Sequence, residues 1–324
     1  MTRPPDPLQN LPISAFGLRR RADLWYGLTM EQQIQELRKL AAKAENRRTE
    51  TGIPRVAMVQ GEIPAHQLAA VYDPMINLIL TGAKTMTVGD QTFRYDPATY
   101  FVMSVDLPAV GTVHAAATGE PYLAVSLTLD PVVIAALIRD LPVAVSGAPS
   151  SAGFAIAPLN SELLEAWVRM LRLMTRPDEI AALAPAYERE ILFRVLQGPL
   201  GWMLRDVASP DTALSRIGVA IDWIRRHYAD QIRVETLAEM AALSVSAFHR
   251  HFKAVTALSP VQYQKRIRLL HARSQLIAGQ GSATSIAFSV GYESPSQFSR
   301  EYARLFGLPP SKDFVKATQA LRDT

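Results

Sequence analysis

Six side chains in the last third of the chain have the types and spacing to read the edges of nucleic-acid bases. Ser246, His249 and Arg250 form one set; Ser296, Gln297 and Arg300 form another, with Arg250 and Arg300 separated by 50 residues. A guanidinium can pair with O6 and N7 of guanine, an amide with N6 and N7 of adenine, and a hydroxyl with either. Lys253 and Arg304, further along each set, suit phosphates, which fix register without carrying sequence information. A solvated helix face is the plainer account of any one set; two sets with matched basic faces favour base reading.

The elements that must hold these groups are written in the same stretch. Ser244, Ser246, Phe248, Arg250, Leu258 and Pro260 recur as Ser294, Ser296, Phe298, Arg300, Leu308 and Pro310, and Phe252 is answered by Tyr302. Two copies are too few for a solenoid, which needs about three to bury a continuous core, so the repeat reads as two copies of one small module. In the first, Leu237, Ala238 and Ala241 share a helical stripe, Leu243 and Ser244 interrupt it, and Phe248 and Phe252 open a second stripe. In the second, Ile286, Ala287 and Val290 lead to a turn at Gly291, then Phe298, Tyr302 and Leu305 share a face. Each copy is helix, turn, helix. Ser294, Pro295 and Gln297 make a helix start, and Ser259, Pro260 and Gln262 make another for a segment 260–278 joining the modules. Residues 212–324 hold 15 Lys and Arg against 8 Asp and Glu, whereas residues 1–211 hold 19 against 22. The basic block coincides with the modules and suits attraction to phosphate.

The run Gly291, Tyr292, Glu293, Ser294, Pro295, Ser296, Gln297, Phe298, Ser299, Arg300, Glu301, Tyr302, followed by Phe306, Gly307 and Pro310, resembles the signature of AraC/XylS-type transcription regulators. The resemblance extends from Ser215 to about Val315. It implies seven helices: one near 215–228, the first helix-turn-helix, the linker helix 260–278, the second helix-turn-helix, and a closing helix near 310–318. It also implies that both reading helices enter successive major grooves, with base contacts from Ser246, His249, Arg250, Ser296, Gln297 and Arg300. The partners it implies are a double-stranded DNA operator, a small-molecule effector, a second copy of the chain in a homodimer and, among those open to such a regulator, RNA polymerase. One departure stands out: the first turn reads Ala242, Leu243, where a small turn-former such as glycine is common in the family.

The rest of the chain reads as α+β. Residues 1–28 are proline-rich and expected as a flexible arm; 29–208 form the body; 212–324 form the double helix-turn-helix, with Ser209, Pro210 and Asp211 as punctuation. A charged helix is expected over Glu31–Arg48. Short strands follow at 56–59, 78–80, 85–88, 92–95, 100–105 and 123–129, with a hairpin around Gly89 and Asp90. Such spacing suggests a small barrel or sandwich, and the resemblance makes a cupin-like β-barrel with flanking helices the expected version. Two amphipathic runs, Leu163 to Met174 and Tyr187 to Leu196, either pair subunits or pack on the barrel.

Chemistry in the body is sparse. Cupin metal sites need a His-x-His pair, a carboxylate and a third histidine; the region offers only His66 and His114, with no His-x-His. No metal, cofactor or catalytic residue is assigned, and no enzyme activity is expected. A pocket for a small ligand is the better reading, with His66, Tyr72, Tyr100, His114 and Tyr122 as its candidate polar lining, although each such residue is more often simply packed. The chain has no cysteine, no secretory signal and no apolar run of about 18 residues, so a cytoplasmic protein away from membranes is expected. Two alternatives stay open: a metal-dependent cupin enzyme fused to a DNA-binding tail, and an architectural DNA binder that needs no effector.

Overall fold

A computed structural model describes residues 29–61, 69–141, 152–209 and 212–315. The expected arm over 1–28, His66 and the last residues of the expected closing helix lie outside them.

Among the described residues, ten antiparallel strands make two sheets. One runs β1 (Thr49–Glu50), β2 (Val56–Gly61), β9 (Tyr122–Thr128), β4 (Met75–Thr81), β7 (Thr99–Met103), β10 (Phe154–Pro158); the other runs β3 (Ala69–Tyr72), β8 (Leu107–His114), β5 (Ala83–Val88), β6 (Gln91–Tyr95). Among the described residues the sheets remain separate, so the cupin-like interior is enclosed by a double sheet. Alternation sets what faces in. Ile79, Met86, Val88, Tyr95, Phe101, Met103, Tyr122 and Ala124 belong to one interior cluster, with Phe93 stacked on Phe101 and on Phe154 at 5.4 and 5.2 Å. The expected hairpin is present: β5 and β6 pair from Val88↔Gln91, and Gly89 takes a φ of 64° that favours glycine.

The six-stranded sheet is apolar on its other face too. Ile76, Leu78, Tyr100, Val102, Val125 and Leu127 pack there against α1 (Met30–Leu40), α2 (Pro131–Arg139), α3 (Ser161–Arg172), α4 (Ile180–Gln197) and α5 (Gly201–Ala208). Leu163, Leu164, Trp167 and Leu171 of α3, and Ile191, Leu192, Val195 and Leu196 of α4, are buried in this core, so the two amphipathic faces are used within the chain. The first helix is shorter than its charge pattern suggests: it stops at Leu40 and a 3₁₀ turn, Ala41–Lys43, leads to β1.

From Thr212, which caps α6 through its hydroxyl, to residue 315 the regular elements are all helices. α6 (Ala213–Arg226), α7 (Val234–Met240), α8 (Val245–Thr256), α9 (Pro260–Ile277), α10 (Ala283–Ser289), α11 (Pro295–Phe306) and a helix at 310–315, α12, supply the seven expected helices. Ile217, Ile221, Ile224, Leu237, Phe248, Phe252 and Tyr263 form the core of the first module, continuous with the body's interior cluster. Leu269, Leu276, Ile286, Val290, Phe298 and Tyr302 form a separate core for the second.

Candidate nucleic-acid interface and interior cavity

The two reading helices are built alike. Ser244 Oγ accepts from the Ala247 amide at the start of α8, and Ser294 Oγ accepts from the Gln297 amide at the start of α11, where Pro295 takes the first helical position. Phe248 and Phe252 anchor α8 inward; Phe298 and Tyr302 anchor α11. The opposite faces present Ser246, His249, Arg250 and Lys253 on α8, and Ser296, Arg300 and Arg304 on α11, all exposed. Among the described residues, none of those four Lys and Arg side chains has an ion-pair partner. Gln297 differs: it is half-buried, and its Nε2 donates to Glu301 Oε1 at 3.1 Å. Glu301 also accepts from Lys265 Nζ and the Tyr292 hydroxyl, each at 2.8 Å. Burial pushes the Glu301 carboxyl up, but these donors outweigh it and hold it below its usual range.

The turns before the reading helices share one geometry but differ in length. The Leu243 amide donates to Ala238 O and the Tyr292 amide to Ala287 O, both at 2.9 Å, the long bond of a helix end closed by a left-handed residue. That residue is Ala242 at φ 51° in the first module and Gly291 at φ 89° in the second. Val234 and Ala283 open the first helices 49 residues apart, whereas Val245 and Pro295 open the reading helices 50 apart. Glu293 is the extra turn residue.

Module one is bolted to the body. The Gly153 amide donates to Val255 O at 2.9 Å, capping the last turn of α8 from outside the module. Arg266 donates to Gly89 O at 3.0 Å, the Tyr263 hydroxyl to Asp106 O at 2.8 Å, and Arg225 pairs with the Asp106 carboxylate at 2.5 Å. Burial raises the Asp106 carboxyl, and Arg225 offsets only part of that rise. α9 lies against β3 and β8. Nothing in the spacing of the module residues signals these contacts, because their partners lie more than a hundred positions away.

A cavity of about 450 Å³ opens into the double sheet, walled by Val59, Val71, Tyr72, Asn77, Lys84 and Ser126 among others. Lys84 Nζ lies 4.6 Å from the centre of the Tyr72 ring, and burial lowers its ammonium to about 8. Asn77 is engaged on both sides, donating to Val125 O at 3.2 Å and accepting from the Tyr95 hydroxyl at 3.1 Å. Of the expected lining, Tyr72 borders the cavity and Tyr122 is buried in the same interior. Tyr100 sits on the other face of its sheet beneath the helices, within reach of Gly198. His114 bonds Thr85 Oγ1 at 2.9 Å, and Thr85 alternates with the inward Lys84 and Met86, so this pair is outside the interior. Lys84 and Asn77 are not among the expected residues. The signal for Lys84 is its parity with Met86 and Val88. Among the described residues, no three of His, Cys, Asp and Glu gather as a metal site, and no helix is long and apolar enough to cross a membrane.

Comparison with known proteins places these two parts in context. Residues 52–203 match the model for the AraC-type transcriptional regulator N-terminus, and residues 237–314 match a helix-turn-helix domain model. The HTH-type transcriptional activator RhaS of Escherichia fergusonii is 35% identical over 144 residues, covering 43% of this chain and 51% of that protein. RhaS of Escherichia coli O1:K1 is 29% identical over 155 residues, 47% of this chain and 54% of that protein. The chain thus spans about half the length of the curated relatives it matches. Among solved structures, apo ToxT from Vibrio cholerae shares the fold with a TM-score of 0.55 at 9% identity, covering 83% of this chain and 99% of that one. Wild-type ToxT with an unsaturated fatty acid bound gives 0.50 at 9% identity, over 79% and 90%.

Proposed function

The chain belongs to the AraC family of transcriptional regulators, and we propose that it binds a double-stranded operator through α8 and α11 while its body, residues 29–208, answers a small-molecule effector. The observation that carries the first half is the pair of reading helices, each with an inward aromatic anchor and an outward basic face free of counter-ions among the described residues. Base contacts are assigned to Ser246, His249, Arg250, Ser296, Gln297 and Arg300, and phosphate contacts to Lys253 and Arg304. Gln297 must turn its amide from Glu301 to read adenine bidentately. The double-sheet cavity supports the second half, as does ToxT, which is solved with a fatty acid bound. RhaS is named an activator, which makes activation, with RNA polymerase as a further partner, the sign of regulation to test. A homodimer and a cytoplasmic location fit the same reading, and no catalytic step is assigned to the body.

Selection of bound sequences from a random duplex pool, with the full chain at physiological salt, tests the reading. Two enriched blocks about one helical turn apart, near 10 base pairs, are expected. Salt-sensitive binding with no enriched block would reduce the modules to phosphate contact and overturn the sequence-specific reading.

A further inference from the structure

Strand β5 turns Lys84, Met86 and Val88 to the interior of the double sheet. Two of the three are core residues. The third places an ammonium where a methionine of similar length would serve, and it is only 8% exposed. An uncompensated buried charge opposes folding, so its presence asks for a partner. Among the described residues no carboxylate supplies one, and burial is the sole cause of the lowered Lys84 ammonium. Asp73, the carboxylate in the cavity wall, lies 3.8 Å from Arg225 instead. Arg47 and Arg48 at the rim are mostly exposed and pair with Glu45 and Glu50. The Tyr72 ring covers one side of the ammonium without neutralising it.

Resting on the effector reading above, we propose that Lys84 anchors the anionic end of a small monocarboxylate whose apolar part fills the interior cavity. One ammonium matches one carboxylate; a phosphate dianion needs more donors, and the neighbouring Asn77 amide is already committed to Val125 O. A cation is disfavoured by Lys84 and the rim arginines. A polyol needs many hydrogen-bonding groups, whereas Ala57, Val59 and Val71 make the wall largely apolar. The volume, about 450 Å³, lies in the lower part of the range for small-molecule sites, roughly 300–1,000 Å³, which favours a compact guest. Tyr72 and Asp73 link the site to the joint with module one: Tyr72 pairs with Leu107 on β8, next to Asp106, and both Asp73 and Asp106 face Arg225.

The test uses full-length protein, titration calorimetry and thermal unfolding with hexanoate and phenylacetate, each beside its primary amide. At least one carboxylate is expected to bind tenfold or more tightly than its amide and to raise the unfolding temperature. Lys84→Met is expected to abolish that preference while unfolding at a higher temperature than the parent without ligand; Lys84→Gln serves if the methionine variant does not fold. Equal binding of acid and amide would overturn the anchor but leave a ligand-binding body standing. Undiminished acid preference in the Lys84 variants would place the anion elsewhere and overturn it. Absence of carboxylate binding would also sink the anchor, and a shift with the amides would then decide separately for an effector body.

Discussion

The two helix-turn-helix modules carry nearly the same pattern of anchors and caps, yet they are stabilised by different means. In module two the closing helix turns inward. Asp313 accepts from Arg273 Nε and from the Tyr302 hydroxyl, each at 2.8 Å, and the Arg273 guanidinium lies 4.7 Å from the Phe306 ring centre. The equivalent positions in module one are Tyr263 for Asp313 and Phe252 for Tyr302. These pack edge to face at 5.5 Å, and the Tyr263 hydroxyl reaches out to Asp106 of the body. Both left-handed helix ends of module one are alanines, Ala242 and Ala257, where module two has Gly291 and Gly307. Module one therefore holds two strained residues and leans on the body; module two has glycine at both helix ends and, outside its own core, rests on α9 and the 228–230 loop. Among the described residues, the hydrogen bonds and ion pairs from the body reach module one and α9, and module two is met from α9 and the 228–230 loop. On the effector reading, a bound ligand is expected to change the angle between the reading helices, because one module is fixed to the body and the other is not.

The largest break in this comparison is expected from Arg273→Ala. It strips the counter-ion from Asp313, which is only 1% exposed, and loss of one partner of such a buried pair costs about 3–5 kcal/mol. Amide exchange should accelerate throughout α10 and α11 while α7 and α8 keep their protection. Equal loss in both modules would mean that they do not unfold independently, contrary to the separation of their cores.

Gly89→Ala attacks the other side. An added Cβ would lie 2.2 Å from Ala257 O, and φ is +64°, so both overlap and backbone strain oppose it, together about 2–4 kcal/mol. Here protection should fall in α8 and the β5–β6 hairpin and remain in α11. Unchanged exchange in α8 would show that the joint at Gly89 does not hold module one.

How far these contrasts can be read in the sequence differs by region. The reading helices are legible because capping residues and i, i+4 aromatics are local signals. The αL position at Gly291 is legible for the same reason, and the odd residue at Ala242 stands out beside it. The joint is not, since Gly153, Asp106 and Gly89 become neighbours of module one only through the sheet topology. The sequence pattern starts strand β5 at Thr85, one residue after Lys84, because Ala and Lys are poor strand formers; the inward parity of Lys84 is lost with that boundary. Tyr100 misleads for another reason. β7 is buried on both faces, so every residue from Tyr100 to Met103 is apolar and parity cannot tell the cavity side from the helix side. The strand β10 and helices α2 and α5 lie in stretches whose periodicity is short or interrupted by proline.

Smaller effects should sharpen the comparison at the DNA. Arg250→Ala and Arg300→Ala are each expected to weaken specific operator binding by about 1–3 kcal/mol without loss of fold, measured by fluorescence anisotropy alongside thermal unfolding. If module one is held by the body and module two is not, bound effector should change the Arg250→Ala and Arg300→Ala penalties unequally. Lys253→Ala should weaken all sequences alike and flatten the salt dependence. Unchanged affinity in both arginine variants would sink the docking mode assigned to α8 and α11.

The smallest expected effect is a gain. Ala242 holds φ 51° without the freedom of glycine, a conformation that costs an L-residue about 1–2 kcal/mol, while glycine gives back part of the difference through its larger unfolded-state entropy. Ala242→Gly should therefore stabilise module one by about 0.5–1 kcal/mol, seen as slower amide exchange across α7 and α8. The reciprocal change is not symmetric. In Gly291→Ala the new Cβ would sit 2.1 Å from Ala229 O, so module two suffers both strain and overlap. A neutral Ala242→Gly beside a damaging Gly291→Ala would show that the modules differ in packing around the turn and not in backbone strain, and the comparison would have to be redrawn on that basis.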